Sequence, residues 1–401
     1  MKISTYKQNN IAKNYFPSLF FFIVIMFIPK FDLIPVPGYW QGIRIEDLLI
    51  LSYFVVFISN TQNVIYHREF LFKNFLIFFI YIFVSNLIAI LSGIEVKILM
   101  LIRLSEYIVL LYFFDNFNLN LTKIKKILYY YLIINFIIAL LQYLKLVGNI
   151  SSLGYLGPED VMSLRSMGLT GGSWELGAIS SIIFFTIIEI EKNVKKIFLV
   201  FCLVNLLLIF AEGRGNFVGF NLATLFLFLF NNKIKLENKI FFVIVIIISI
   251  FIFKNYLFKD FFEKIFLVDY NYLRFLFSEG IFNNNLPSKD QLIDMKIYLS
   301  FWYRVRDWSI VINELTDSNI NIFFGLGLKD IYYDSLLIRI LVSTGIFGII
   351  LVLFLTLKLK LYLMIFFLFS GAFLDLFISM KIFFFTLIML YVHKRVEKLR
   401  E

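Results

Sequence analysis

Four arginines and two carboxylates carry the chemistry that can be read in a chain made mostly of Phe, Ile and Leu. Arg165 and Glu175 lie in RSMGLTGGSWELGA (165–178), Arg214 in EGRGNFVGF (212–220), Arg304 and Arg306 in YRVRDWSIV (303–311), and Asp334 in YDSLLIRILVSTGIFG (333–348). Arginine offers a planar, permanently charged fork that binds phosphate or carboxylate oxygens in bidentate fashion. A carboxylate within hydrogen-bond reach of a hydroxyl can take its proton. Gly213 and Gly215 strip side chains from both sides of Arg214, so an anion can approach it closely; a tight turn with an interfacial arginine reads equally from the same residues. Glu212 stands beside Arg214 and can neutralise or orient it. Arg304 and Trp308, four apart, share one face of a helix that Arg306 does not share. Asp334 is a candidate base or a helix-start carboxylate that complements the macrodipole.

The segment 165–178 reads as a loop turning into a helix. Gly168, Gly171 and Gly172 let the chain turn, Ser173 caps the helix, Glu175 sits in its first turn and Trp174 anchors at a membrane interface. Arg103 and Glu106 are three apart and share a helix face, as a packing ion pair or as the lining of a cavity. Two distant histidines, His67 and His393, and one cysteine, Cys202, give no support to a zinc site or an internal disulfide.

Elements of one kind must position these residues. Hydrophobic residues make up 60% of 401, in apolar runs that recur along almost the whole length, so the fold class is an all-α integral membrane protein. Spans of about 20 apolar residues are expected at about twelve places, centred near residues 22, 53, 83, 107, 136, 183, 204, 222, 247, 344, 370 and 386. The first of them reads as a retained helix, because no small-residue cleavage site follows it. The formal net charge of +10 is distributed by connection: Lys123, Lys125 and Lys126, then Lys192, Lys195 and Lys196, then Lys233, Lys235 and Lys239 fall in every second one. By the positive-inside rule that pattern puts both termini in the cytoplasm, and the basic surplus is a topology signal rather than a nucleic-acid patch. The chain then forms a single membrane domain, 1–401, with a shorter outward loop at 148–174 and a larger one at 257–331. The larger loop, about 75 residues, exceeds ordinary connections and carries an amphipathic helix from about 291 to 314. Gly345 and Gly348 are expected to allow close helix packing. No GxxxxGK[ST] phosphate loop occurs and no internal repeat is evident, which weighs against an ATP-driven pump and an inverted-repeat transporter.

This pattern resembles the O-antigen polymerase and ligase family of bacterial membrane glycosyltransferases. The likeness rests on RSMGLTGGSWELGA, EGRGNFVGF, YRVRDWSIV, FGLGL (324–328), YDSLLIRILVSTGIFG and IRIEDLLIL (43–51), in the family's loop order. It implies a GT-C-like fold in the bacterial cytoplasmic (inner) membrane, acting on undecaprenyl-diphosphate-linked glycans, with a chain-length regulator and a flippase as partners beside membrane lipid. Arg165, Arg214 and Arg304, with Arg306 and Trp308 beside them, would bind the diphosphate or the glycan. Asp334 would be the base, with Glu175 and Asp307 behind it. Three arginines can supply the counter-charge, so neither a metal nor another cofactor need be invoked. The ligase branch carries a His in the large outward loop; this loop has none, with Asp334 and Ser335 in that neighbourhood, so the resemblance favours a polymerase of polysaccharide repeat units. A lipid-linked oligosaccharide flippase or other transporter is the alternative from another class.

Overall fold

The computed structural model describes residues 19–30, 32–34, 36–37, 42–59, 70–116, 119–151, 154–156, 165–230, short pieces within 236–247, and 299–329, 335–357, 359–373 and 379–399. Their secondary structure is helical, apart from two small hairpins. The helices are α1 (19–27), α2 (Ile45–Ser59), α3 (Phe70–Leu91), α4 (Ile98–Asn116), α5 (Leu121–Tyr143), α6 (Ser173–Ile190), α7 (Val194–Phe210), α8 (Arg214–Phe230), α9 (Leu299–Thr316), α10 (Asn319–Phe324), α11 (Leu336–Thr356), α12 (Leu361–Phe373) and α13 (Met380–Lys398). Antiparallel β1 (Asp32–Ile34) and β2 (Ile43–Arg44) close the α1–α2 connection, and β3 (Asn149–Ser151) pairs with β4 (Gly154–Leu156). Eleven of the twelve expected span centres fall inside these helices. The twelfth, near 247, falls at the edge of the short described pieces and is not spanned by a described helix; Asp334 and residues 257–298 of the large loop lie outside the described residues.

Four helical segments among the described residues are long and apolar enough to cross a membrane: Lys73–Leu91, Leu121–Tyr143, Ser173–Ile190 and Leu336–Thr356. Several polar residues of these and neighbouring helices are satisfied locally. Ser180, Ser181 and Thr186 on α6 donate to the carbonyl four residues back, as do Asn135 on α5 and Asn205 on α7, so each can sit in an apolar helix. Side-chain caps begin several helices: Asn120 for α5, Asn193 for α7, Ser335 for α11 and Ser379 for α13.

The chain divides into two compact units, Met1–Leu76 with Ile102–Gly213 and Ile378–Glu401, and Ile77–Leu101 with Arg214–Phe377. In the first, α13 packs along α6, and α6 along α7 and α5. Its core is aromatic: Phe384 meets Phe22 at 5.5 Å and Phe114 at 5.3 Å between ring centroids, and Phe385 meets Tyr131 at 4.9 Å. Tilted and edge-on rings at these separations are the favoured aromatic arrangements.

In the second unit, α12 lies against α8, close enough for a Cβ on Gly219 to meet Ser370 Oγ at 2.8 Å. The amphipathic helix expected at 291–314 is α9, whose buried Val305, Trp308, Val311 and Leu315 follow helical spacing. Val311 and Leu315 pack with Leu326 and Val342. Gly345 does more than permit close packing: its φ of +65° breaks α11 into two pieces. The Gly-Leu-Gly turn after α10 fits into the break, with Gly325 and Gly327 also at positive φ, and Leu326 N–H donates to the Val342 carbonyl at 2.6 Å. Tyr81 on α3 holds the freed Thr344 carbonyl at 2.8 Å, and Ser85 holds that of Ser343 at 2.8 Å. Broken backbone of this kind is tolerated in apolar surroundings only when neighbours satisfy its polar groups, as these do.

Candidate functional site

The segment 165–172, between the β hairpin and α6, is irregular yet closely held. Gln142 of α5 accepts from Met167 N–H at 3.0 Å and Gly168 N–H at 2.8 Å, and Asn135 one turn pair earlier accepts from Leu169 N–H at 2.9 Å. Ser166 donates to Ala139 O at 2.8 Å, and its own N–H reaches Phe210 O at 2.9 Å. Gly168 sits at φ +59°, where a Cβ would come 2.5 Å from Asn135 Oδ1, so only glycine fits this bend. Two consecutive polar turns of a membrane-length helix are thus spent on shaping a loop.

What the loop presents is Arg165. Its carbonyl is fixed by Asn149 at 3.3 Å, while its side chain is 44% exposed and meets Glu212 at 3.4 Å. Glu212 therefore partners Arg165, 47 residues away, a partner that sequence spacing does not suggest. Glu212 holds a positive φ of +47°, uncommon for a residue with a side chain, at the turn where α7 ends. Arg214 opens α8 and is half-buried.

Glu175 is fully buried at the other end of the same segment. Lys30 lies 3.2 Å from one carboxylate oxygen, to which Ser379 also donates, and Gly171 N–H donates to the other at 2.6 Å. Ser173 is the first helical residue rather than the cap its type suggests, Gly172 is the N-cap without a side-chain cap bond, and the Glu175 carboxylate ties down the Gly171 N–H just before the helix. Trp174 lies under Lys30, whose ammonium is 6.0 Å from the ring centroid. Burial, with Arg44 nearby, presses the Lys30 ammonium below its ordinary value against the pull of Glu175.

The Lys30–Glu175 pair belongs to a larger buried group that the sequence reading did not assemble. Lys381 of α13 donates to Leu169 O at 3.1 Å and to Ile28 O. Arg44 pairs with Asp32 at 3.1 Å and stands 3.6 Å from Glu46; its N–H meets Asp47 at 2.9 Å. Arg103 of α4 donates to Gly42 O and stands 3.9 Å from Asp47, so it reaches beyond the Glu106 pairing that spacing suggests. No hydrogen-bond donor among the described residues reaches either Glu46 oxygen, and the Tyr131 hydroxyl is likewise buried without a partner. The available signal was IRIEDLLIL, two acids and an arginine at the mouth of an apolar helix.

The remaining candidates belong to the second unit. Arg304 is half-buried on α9, and Arg306 folds its guanidinium onto Asp307 at 2.7 and 2.9 Å. Trp308 faces the core of its unit. Arg339, one turn into α11, is almost fully buried and donates to Lys329 O at 3.3 Å. Among the described residues, no three His, Cys, Asp or Glu side chains gather as a metal group. Set against family models, curated protein sequences and solved structures, the chain matches none of them.

Proposed function

We propose that the chain is a multi-pass glycosyltransferase of the bacterial cytoplasmic membrane that joins undecaprenyl-diphosphate-linked repeat units into a polysaccharide on the outer side. The topology this requires is about twelve spans with both termini inside. In the reaction, an acceptor sugar hydroxyl attacks the anomeric carbon of the donor glycan, the bond from that carbon to the diphosphate oxygen breaks, and the hydroxyl proton passes to a carboxylate. Arg165, Arg214 and Arg304 neutralise the departing diphosphate, with Arg306 and Trp308 beside them. Fixed donors aimed at developing charge are worth about 3–4 kcal/mol each.

The observation that carries this reading is the hydrogen-bonded loop that holds Arg165 at its exposed end, with Glu212 as a loose partner at 3.4 Å. A preorganised, accessible guanidinium suits a large anionic substrate better than it suits fold stability, since exposed ion pairs contribute roughly 0–1 kcal/mol. Glu175 has its oxygens occupied by Lys30, Gly171 and Ser379, which favours Asp334 as the base.

A flippase for lipid-linked oligosaccharide is the second reading. The break of α11 at Gly345 favours it, because discontinuous helices form the binding sites of many transporters. Replacing Arg165 or Arg214 with Ala or Lys in cells and examining surface glycan length separates the two. Loss of long chains with single-repeat product retained supports the polymerase; loss of all glycan at the outer leaflet supports the flippase. A normal chain-length distribution with Arg165, Arg214 and Asp334 each substituted removes the site.

A further inference from the structure

At the end of the first unit away from Arg165, four helix ends come together. Lys125 of α5 meets Glu191, the C-cap of α6, at 3.1 Å, and Tyr129 reaches the same carboxylate at 3.4 Å. Residues 191–193 lead directly into α7. The end of α13 joins them: Arg395 donates to Leu119 O at 3.0 Å, and His393 stands 3.8 Å from Glu189. Of the acids gathered here, Glu191 is paired with Lys125, while Glu397 lies 3.0 Å and Glu189 3.8 Å from the His393 ring. Around them Lys123, Lys126, Lys192, Lys195, Lys196 and Lys398 are all exposed.

This charge is continuous with exposed apolar surface. On α5, Lys126 heads a stripe of Tyr130, Ile133, Ile134 and Ile137 at helical spacing, every one of them exposed. On α7, Lys195 is followed four residues later by Leu199, 66% exposed. From Lys126 to Ile137 the helix rises about 16 Å at 1.5 Å per residue, close to the depth of one hydrocarbon leaflet, about 15 Å. A soluble anion needs only the lysines; the stripe below them has the length of an acyl chain.

We propose that this end of α5 and α7 is a binding site for an anionic phospholipid, whose phosphate is held by Lys123, Lys126, Lys195 and Lys196 and whose chain lies along Tyr130, Ile134 and Ile137. The inference rests on the membrane reading and is independent of sugar transfer. Lysine stems lying along apolar surface with their ammonium groups at the headgroup level serve both parts of such a lipid. Each lysine near an anionic headgroup adds about fivefold to binding.

The test is native mass spectrometry of the full-length chain in detergent, delipidated and then offered phosphatidylglycerol or phosphatidylcholine of matched chains. Phosphatidylglycerol should be retained over phosphatidylcholine, and Lys123→Ala with Lys126→Ala should reduce that retention roughly tenfold or more. Tyr130→Ser with Ile134→Ser should reduce retention of both lipids, and excess inorganic phosphate should leave the adduct in place. Lys123→Arg with Lys126→Arg keeps the charge and should keep the preference, which guards against a fold defect in the alanine variant. Equal retention of the two lipids by the wild type, unchanged retention in the lysine variant, or displacement by inorganic phosphate alone would each overturn the proposal. A chain that stays soluble without detergent would instead overturn the membrane reading beneath it.

Discussion

The two ends of the first unit hold comparable numbers of charged side chains and use them in opposite ways. At one end Lys30, Arg44, Arg103, Glu46, Asp47, Glu175 and Lys381 are buried. At the other end six lysines are exposed, and the Lys125–Glu191 ion pair is partly open to solvent. A buried charge must be paired to be tolerated, so the first set fixes helices and loop against one another at high cost if broken. An exposed lysine remains solvated, so the second set lies at the surface and contributes little to holding the helices together. The arrangement teaches where rigidity was built: beneath Arg165, and not beneath the lysines.

Breaking the comparison should therefore give unequal effects. The largest is expected for Glu175→Ala, which strands Lys30 and Lys381 in the interior and should cost about 3–5 kcal/mol in thermal or denaturant unfolding of the detergent-solubilised chain. Replacing Lys30 with Met and Glu175 with Leu together should recover part of that loss, because matched removal of a buried pair is tolerated. Gly168→Ala comes next, at least about 1 kcal/mol, since it forces a side chain into the left-handed region and onto Asn135.

At the basic end the expected sign reverses. Lys195 and Lys196 stand in the first turns of α7, at the positive end of its dipole, so Lys195→Ala with Lys196→Ala should leave stability unchanged or raise it by up to about 0.5 kcal/mol. A loss above 1 kcal/mol would show that these lysines hold the fold together and would erase the contrast between the ends.

The smallest effect concerns Glu191. Burial would raise its carboxyl, but the N–H groups of Asn193 and Lys192 and the Lys125 ammonium outweigh burial and hold it below its ordinary value. A depressed carboxyl contributes stability that is complete above the unfolded value, near 4.3, and is lost as pH falls through the folded one. Glu191→Gln should therefore lower stability slightly at neutral pH, leave it little changed at acid pH, and so flatten the acid limb of the stability curve; an unaltered acid limb would remove Glu191 from this role.

The helices were legible in the sequence because apolar runs report themselves one residue at a time, and the expected centre near 183 falls within Ser173–Ile190. The loop-to-helix character of 165–178 was legible for the same local reason. The buried charge group was not. Lys381 reaches Leu169 across 212 residues and Lys30 reaches Glu175 across 145, separations at which spacing carries no information. Arg103 with Glu106 and Glu212 with Arg214 looked like pairs because they are close in sequence. Arg103 also reaches Gly42, and Glu212 reaches Arg165, partners that only the fold brings near. Gly345 reads as a packing residue because a glycine inside an apolar run does not announce a break. The break becomes visible only when the Gly-Leu-Gly turn, Tyr81 and Ser85 are seen to meet it.

The most direct measurement is the affinity of the purified chain for an undecaprenyl-diphosphate-linked glycan, compared between wild type and Arg165→Ala, with the unfolding midpoint taken on the same samples. Binding should fall by tenfold or more, about 1.4 kcal/mol, while the midpoint stays where it was, because the exposed Arg165–Glu212 pair contributes little to the fold. Equal affinity in the two proteins, or a midpoint that falls in step with binding, would contradict a loop built to present Arg165 to an anionic lipid-linked substrate.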